Sequence, residues 1–130
     1  MRKVARVETE GTEARWLILY QTETDVYLFP CASDQDGSSV GDEWYASVAE
    51  AEASCAATYG VTSSDWVEIA DPLPGCQADW LSPVRVSERN ARRPEWVTLE
   101  HLAEERWVKI QPQKTRQKIS DLLVSLSQTR

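Results

Sequence analysis

The amino-acid sequence predicts an α+β fold, in which a mainly antiparallel sheet of about five to seven short strands carries one packed helix. Two observations support this fold class. Short segments of alternating apolar residues are typical of strands, and an alanine-rich segment at about residues 48–59 has helical periodicity. The chain has 130 residues, of which 42% are hydrophobic and 27% charged. This balance suits a single folded domain, predicted at residues 1–111, followed by an amphipathic segment at residues 112–130.

Alternating apolar residues predict five strands in the first ninety residues. These strands lie at residues 3–8, 15–20, 26–31, 66–69 and 84–86. The second strand is apolar on both faces, which indicates a central position in the sheet. We expect Trp16 and Ile18 of this strand to face the helix in a single sheet, together with Val67 and Ile69 of the fourth strand.

The predicted helix has a start signal and a stop signal. Ser47 and Glu50 form a capping-box pattern, in which each side chain satisfies a backbone N–H that the helix leaves free. Gly60 can adopt the left-handed conformation that commonly ends a helix. One face of the segment carries apolar residues at helical spacing, namely Val48, Ala51, Cys55 and Tyr59.

The last third of the chain predicts a hairpin and a second helix. Residues 96–102 and 106–110 both alternate and are separated by three residues, as in a hairpin. The second helix is predicted at about residues 115–127, where four aliphatic residues recur at helical spacing: Ile119, Leu122, Leu123 and Leu126. Basic residues at its start oppose the helix dipole, so the helix needs a surface to pack on. We expect it to mediate homo-oligomerisation or partner docking.

Charge is distributed unevenly along the chain. The net charge is −7, and residues 16–84 contain twelve acidic residues and no lysine or arginine, whereas ten basic residues face six acidic ones from Arg85 onward. One interpretation is that the acidic residues form an ordinary solvated surface. The other is a negative surface that attracts a basic protein partner. Both interpretations argue against nucleic acid as the partner of the acidic part.

The acidic loop at residues 32–43 resembles a calcium-binding loop in part. If Gly37 takes the place of the central glycine, Asp34, Asp36 and Glu43 occupy three ligand positions. The first ligand position holds Ala32, which has no carboxylate. We therefore predict no metal site here.

The loop at residues 71–80 combines rigid residues with reactive ones. Two prolines and a glycine restrict its backbone, and it presents Cys76, Gln77 and Asp79 beside Trp80. A nucleophilic Cys76 would need a base, and His101 is the only histidine in the chain. His101 lies in a predicted strand, in the same alternating register as Val97 and Leu99, which favours a structural role for it.

Six tryptophans in 130 residues are an unusually high number. They either fill the core or anchor a partner, since tryptophan is enriched among the residues that dominate binding energy. From the acidic loops and their neighbouring tryptophans we predict a set of partner-binding residues: Asp34, Asp36, Asp42, Glu43, Trp44, Asp71, Cys76, Gln77, Asp79 and Trp80.

These features predict a non-enzymatic, acidic protein-binding module of the inhibitor, immunity or adaptor type, without a cofactor. Size, acidity and tryptophan content are similar in style to small bacterial inhibitor or immunity proteins, with no shared motif. The alternatives are a small hydrolase that uses carboxylates or Cys76 in the 71–80 loop, and a structural or oligomerisation domain. Three widely spaced cysteines and the lack of a long apolar segment predict a cytoplasmic protein that does not enter membranes.

Overall fold

The computed structural model describes residues 1–89, 91–93, 96–110 and 113–114, and it confirms the α+β class. The strands are β1 (Arg2–Arg6), β2 (Trp16–Gln21), β3 (Val26–Cys31), β4 (Glu43–Tyr45), β5 (Val67–Ile69), β6 (Val84–Arg89), β7 (Trp96–Ala103), β8 (Arg106–Lys109) and β9 (Gln113–Lys114). One α-helix, α1, spans Val48–Tyr59. The strands form two antiparallel sheets, whereas the sequence suggested a single one.

The larger sheet has the order β4-β3-β2-β1-β5, so β2 is central, as predicted. Neighbouring strands are antiparallel and align residues directly opposite one another. One such line crosses four strands through Arg2, Tyr20, Tyr27 and Trp44. Because paired residues point to the same side of a sheet, these four side chains share one face.

Helix α1 packs on the opposite face. Its buried residues Ala51 and Cys55 belong to a core cluster that includes Leu17 and Leu19 of β2. The expectation that Trp16 and Ile18 face the helix is therefore wrong: Ile18 packs with Phe29 and Cys31 on the other side. Both faces of β2 are apolar, so the alternation alone did not distinguish them.

Strand β5 lies at an edge of the larger sheet and pairs only with β1 among the described strands. Val67, expected to be buried under the helix, is 62% exposed. It pairs with Val4, and the adjacent Lys3 contacts Glu52 of α1, so Val67 and Ile69 point away from the helix.

Both ends of α1 are capped. The Ser47 hydroxyl accepts a hydrogen bond from the backbone N–H of Glu50 at 3.1 Å. The Glu50 carboxylate accepts from the N–H of Ala46 at 3.3 Å, one residue before the position that the capping box predicts. Gly60 ends the helix with φ +69°. A Cβ atom at Gly60 would lie 2.8 Å from the Thr9 hydroxyl oxygen, so packing also favours glycine there.

The second sheet has the order β6-β7-β8, and β9 also pairs with β7. The hairpin of β7 and β8 is confirmed, with a two-residue turn at Glu104 and Glu105, both at positive φ. Its core consists of Val84, Val97 and Leu99, against which Trp80 and Ile110 pack. The predicted C-terminal helix at 115–127 lies outside the described residues. No helix in the described part of the chain has the length and apolar character needed to cross a membrane.

Candidate functional site

The two loops that carry most of the predicted site residues meet in the structure. The Asp36 carboxylate accepts three hydrogen bonds, from the N–H groups of Leu81 and Ser82 at 2.8 Å each and from the Ser82 hydroxyl at 2.6 Å. Asp79 is buried and accepts from the N–H of Ser39 at 2.8 Å. Asp36 and Asp79 thus join the two loops, each through a partner 40 to 46 residues away in the sequence.

Arg2 holds the second of these loops against the larger sheet. Its side chain is buried, and its guanidinium donates to the carbonyl oxygens of Ala70 and Ala78 at 2.9 Å and of Trp80 at 2.6 Å. Burial lowers the pKa of Arg2, against the opposing effect of nearby carboxylates, Asp71 first among them. Sequence reasoning did not identify Arg2, because nothing in its local pattern distinguishes it from a surface arginine.

The three carboxylates of the calcium-like pattern point to different neighbours. Asp34 forms an ion pair with Arg6 at 3.0 Å, and both side chains are 65% exposed. Asp36 binds the 81–82 backbone. Glu43 is half-buried on the helix side of β4, where desolvation raises the pKa of its carboxyl group. Within the described residues, no three histidine, cysteine, aspartate or glutamate side chains come together in a way that could hold a metal ion.

Trp44 is the only exposed tryptophan of the six, all of which lie in the described part of the chain. It is 61% exposed, yet its indole N–H donates to Asp25 Oδ1 at 2.9 Å. The other oxygen of Asp25 accepts from the hydroxyls of Thr24 at 2.9 Å and Tyr27 at 3.4 Å. These hydrogen bonds, that of Trp44 foremost, lower the pKa of Asp25. The indole is therefore held in one orientation while facing solvent.

Trp44 belongs to a line of aromatic residues on the face opposite α1. We call Tyr20, Tyr27 and Trp44, which are cross-strand neighbours on β2, β3 and β4, the aromatic row. Tyr20 and Tyr27 are half-buried, and the Tyr27 ring stacks on Phe29 with 6.2 Å between centroids. The far end of the row lies next to Arg2.

A groove at the Tyr20 end of the row has a volume of about 430 Å³. We call it the Tyr20 groove; it is lined by Met1, Tyr20, Gln21, Thr22, Glu23 and Asp71. Asp71 Oδ1 lies 3.1 Å from the amino nitrogen of Met1. The Met1 ammonium thus neutralises Asp71, and Glu23 leaves the groove with a net negative charge beside the Tyr20 ring, an arrangement that suits a cationic group.

A second cavity, of about 280 Å³, lies within the 70–83 loop. We call it the loop cleft; its apolar walls are formed by Pro72, Leu73, Cys76, Trp80, Leu81 and Pro83. Asp71 lines it as well as the Tyr20 groove. His101 is not among the residues that line the cleft, so the structure does not place it as a base for Cys76 there.

The structure divides the predicted partner-binding residues into two groups. Asp36, although exposed, and Asp79 bind the loops together, and Glu43 points to the helix side. Trp80 packs against the core of the second sheet and also lines the loop cleft. The remainder are exposed or line one of the two cavities: Asp34, Asp42, Trp44, Asp71, Cys76 and Gln77. The set predicted from the sequence does not include Tyr20, Tyr27 or Asp25. The available signal was that the two tyrosines occupy matching positions in neighbouring predicted strands, which places them opposite each other.

Comparison with protein-family models, curated proteins and solved structures finds no match to this chain. The surfaces described above are therefore the basis for a functional proposal.

Proposed function

We propose that this protein is a non-enzymatic binding module that docks a basic partner protein on the aromatic row. The exposed, oriented indole of Trp44 carries the proposal. An exposed side chain loses conformational entropy when a partner immobilises it, but Asp25 already holds this indole in place. Tryptophan and tyrosine are also the residues that most often dominate binding energy at protein interfaces.

The charges around the row favour a basic partner. Glu23, Asp25, Asp42 and Asp71 lie along or beside it. The Met1 ammonium offsets one of these charges by pairing with Asp71, and residues 16–84 contribute no lysine or arginine. Arg2 points to the same face, but its guanidinium is buried and bound to carbonyl oxygens. A negative rim around aromatic rings attracts lysine and arginine by long-range fields and by cation–π contacts.

A binding role is favoured over a hydrolase by the surroundings of Cys76. The cleft that contains Cys76 is mainly apolar, and Arg2 and Asp71 are the other titratable residues that line it. Arg2 is fully engaged with the loop backbone, and an arginine does not act as a base in proteins. The Asp71 carboxylate is paired with the Met1 ammonium at 3.1 Å, so it is held toward Met1. Neither residue is placed as the adjacent base that activates a cysteine nucleophile.

We further propose a reducing compartment, the cytoplasm, as the location of the protein. The three cysteines are thiols rather than disulfides: Cys31 and Cys55 are buried on opposite sides of the larger sheet, and Cys76 lines the loop cleft. Cysteine thiols persist where the environment keeps them reduced.

The test is affinity capture from the native host, followed by titration of the purified partner by calorimetry. Trp44→Ala should weaken binding by about thirtyfold, as expected for a residue worth about 2 kcal/mol. Val108→Ala provides a matched control, because Val108 is an exposed apolar residue of the second sheet. Affinity should also fall as salt is raised. Unchanged affinity of Trp44→Ala would contradict the proposal.

A further inference from the structure

We infer that the loop cleft is the second half of the same binding site and receives a large apolar side chain of the partner. The inference rests on the proposed function and specifies the ligand. The partner segment would carry a lysine or arginine for the Tyr20 groove, and a leucine, methionine, phenylalanine or tryptophan for the loop cleft.

The cleft exposes apolar surface that a partner would cover. Leu73 is 47% exposed and Leu81 39% exposed, and both line the cavity. Proline rings and the half-buried Trp80 complete its apolar wall. An apolar side chain inserted here removes its own surface and that of the two leucines from water, which favours binding in proportion to the area covered.

The cleft is held open by contacts that exist without a ligand. Arg2 binds three carbonyl oxygens of the loop, and Asp36 binds the N–H groups of Leu81 and Ser82. Pro72 and Pro83 restrict the backbone on either side. Because these contacts order the loop during folding, binding does not have to order it again, which improves affinity.

Asp71 joins the two halves of the site. It lines the Tyr20 groove together with Glu23, where it pairs with the Met1 ammonium, and it also lines the loop cleft. A single extended segment can therefore occupy both, with its basic and apolar residues about one to three positions apart at roughly 3.3 Å per residue. The cavity of about 280 Å³ is also at the small end for a small-molecule site, which favours one inserted side chain.

Cys76 supplies a native probe of cleft occupancy. It is the half-buried thiol of the three, whereas Cys31 and Cys55 are buried. Burial, with a smaller effect of Glu43, raises the pKa of Cys55 to about 12, which keeps that thiol protonated and unreactive. Alkylation by iodoacetamide in the folded protein should therefore modify Cys76 first, and mass spectrometry can follow its rate.

The experiment begins with selection of phage-displayed random 12-residue peptides on the wild-type protein at low salt. We expect enriched peptides to contain a basic residue within about three positions of a large apolar one. Synthetic versions at saturating concentration should slow Cys76 alkylation at least fivefold. Leu81→Ser should weaken their binding about tenfold, and a peptide whose apolar residue is alanine should bind wild type and Leu81→Ser equally. Leu73→Ser repeats the test if Leu81→Ser disturbs the fold.

The outcomes separate the inference from the proposed function. Basic peptides that require Trp44 but leave the Cys76 alkylation rate unchanged would overturn the cleft assignment and leave the binding module intact. Enriched peptides without a basic residue, or binding unaffected by Trp44→Ala, would overturn both. Slower alkylation together with about tenfold weaker binding of the leucine variant that stays folded would support the two-part site, and wild-type affinity of that variant would overturn the cleft assignment.

Discussion

Asp36 and Asp34 lie two residues apart in one acidic loop, and we expect their replacement by alanine to have very different effects on stability. Asp36 accepts three hydrogen bonds from Leu81 and Ser82, at 2.6 to 2.8 Å. Hydrogen bonds to a charged group contribute about 1.5–3 kcal/mol each when buried. Asp36 is exposed, so we take about 1 kcal/mol each and expect Asp36→Ala to cost about 2–3 kcal/mol.

Asp34→Ala is the matched control. Asp34 contacts Arg6 at 3.0 Å, but both side chains are 65% exposed. Exposed ion pairs contribute about 0–1 kcal/mol, so the loss should be about 0.5 kcal/mol or less.

Thermal and urea unfolding followed by circular dichroism measure both effects. For a domain of this size 1 kcal/mol corresponds to about 3–4 °C, so Asp36→Ala should lower Tm by about 6–12 °C and Asp34→Ala by about 2 °C at most. Asp36→Asn, which keeps one acceptor oxygen, should fall between them. Equal losses for the two alanine variants would refute the assignment of Asp36 as the residue that joins the loops.

Three further predictions concern Glu43, the helix cap and calcium. Burial raises the pKa of Glu43, so its contribution to stability is complete below the pKa of an unfolded glutamate and is lost as pH rises through the higher folded value. Glu43→Gln should therefore raise Tm at about pH 7 and leave it unchanged at about pH 3, and a lower Tm at pH 7 would contradict this. Ser47→Ala should cost about 0.5–2 kcal/mol, because it removes the acceptor for the Glu50 N–H; an unchanged urea midpoint would count against that cap. Millimolar calcium should leave Tm unchanged, because Asp34, Asp36 and Glu43 point to separate neighbours, and a rise abolished by Glu43→Ala would show that a site had been overlooked.

Local signals predicted α1 and most of the strands, because the causes of these elements are local, but they missed β4, whose first residue Glu43 was assigned to the acidic loop. Ser47 begins α1 because its hydroxyl accepts a hydrogen bond from the Glu50 backbone N–H, three residues away. Gly60 ends α1 because glycine readily adopts the left-handed conformation required there. Alternating apolar residues located β1, β2, β3 and the β7–β8 hairpin to within a few residues. The uneven charge is likewise a property of the sequence alone.

The local sequence did not predict which side of the sheet each residue of a strand faces. In β2, Leu17 and Ile18 are both fully buried, one beneath α1 and the other against Phe29. A strand with two apolar faces is compatible with a helix on either face, so long-range packing decides. The same holds for the division of the strands into two sheets, which depends on which strand edges meet.

The roles of the acidic and aromatic residues depend most on tertiary structure. Sequence alone determined that the chain is acidic and rich in tryptophan. It did not distinguish Asp36, which binds a loop more than forty residues away, from Asp34 on the surface. It also did not show that Trp44 alone would be exposed beside two tyrosines from other strands. Burial and hydrogen-bond partners are set by residues distant in sequence, so only the folded chain brings these groups together.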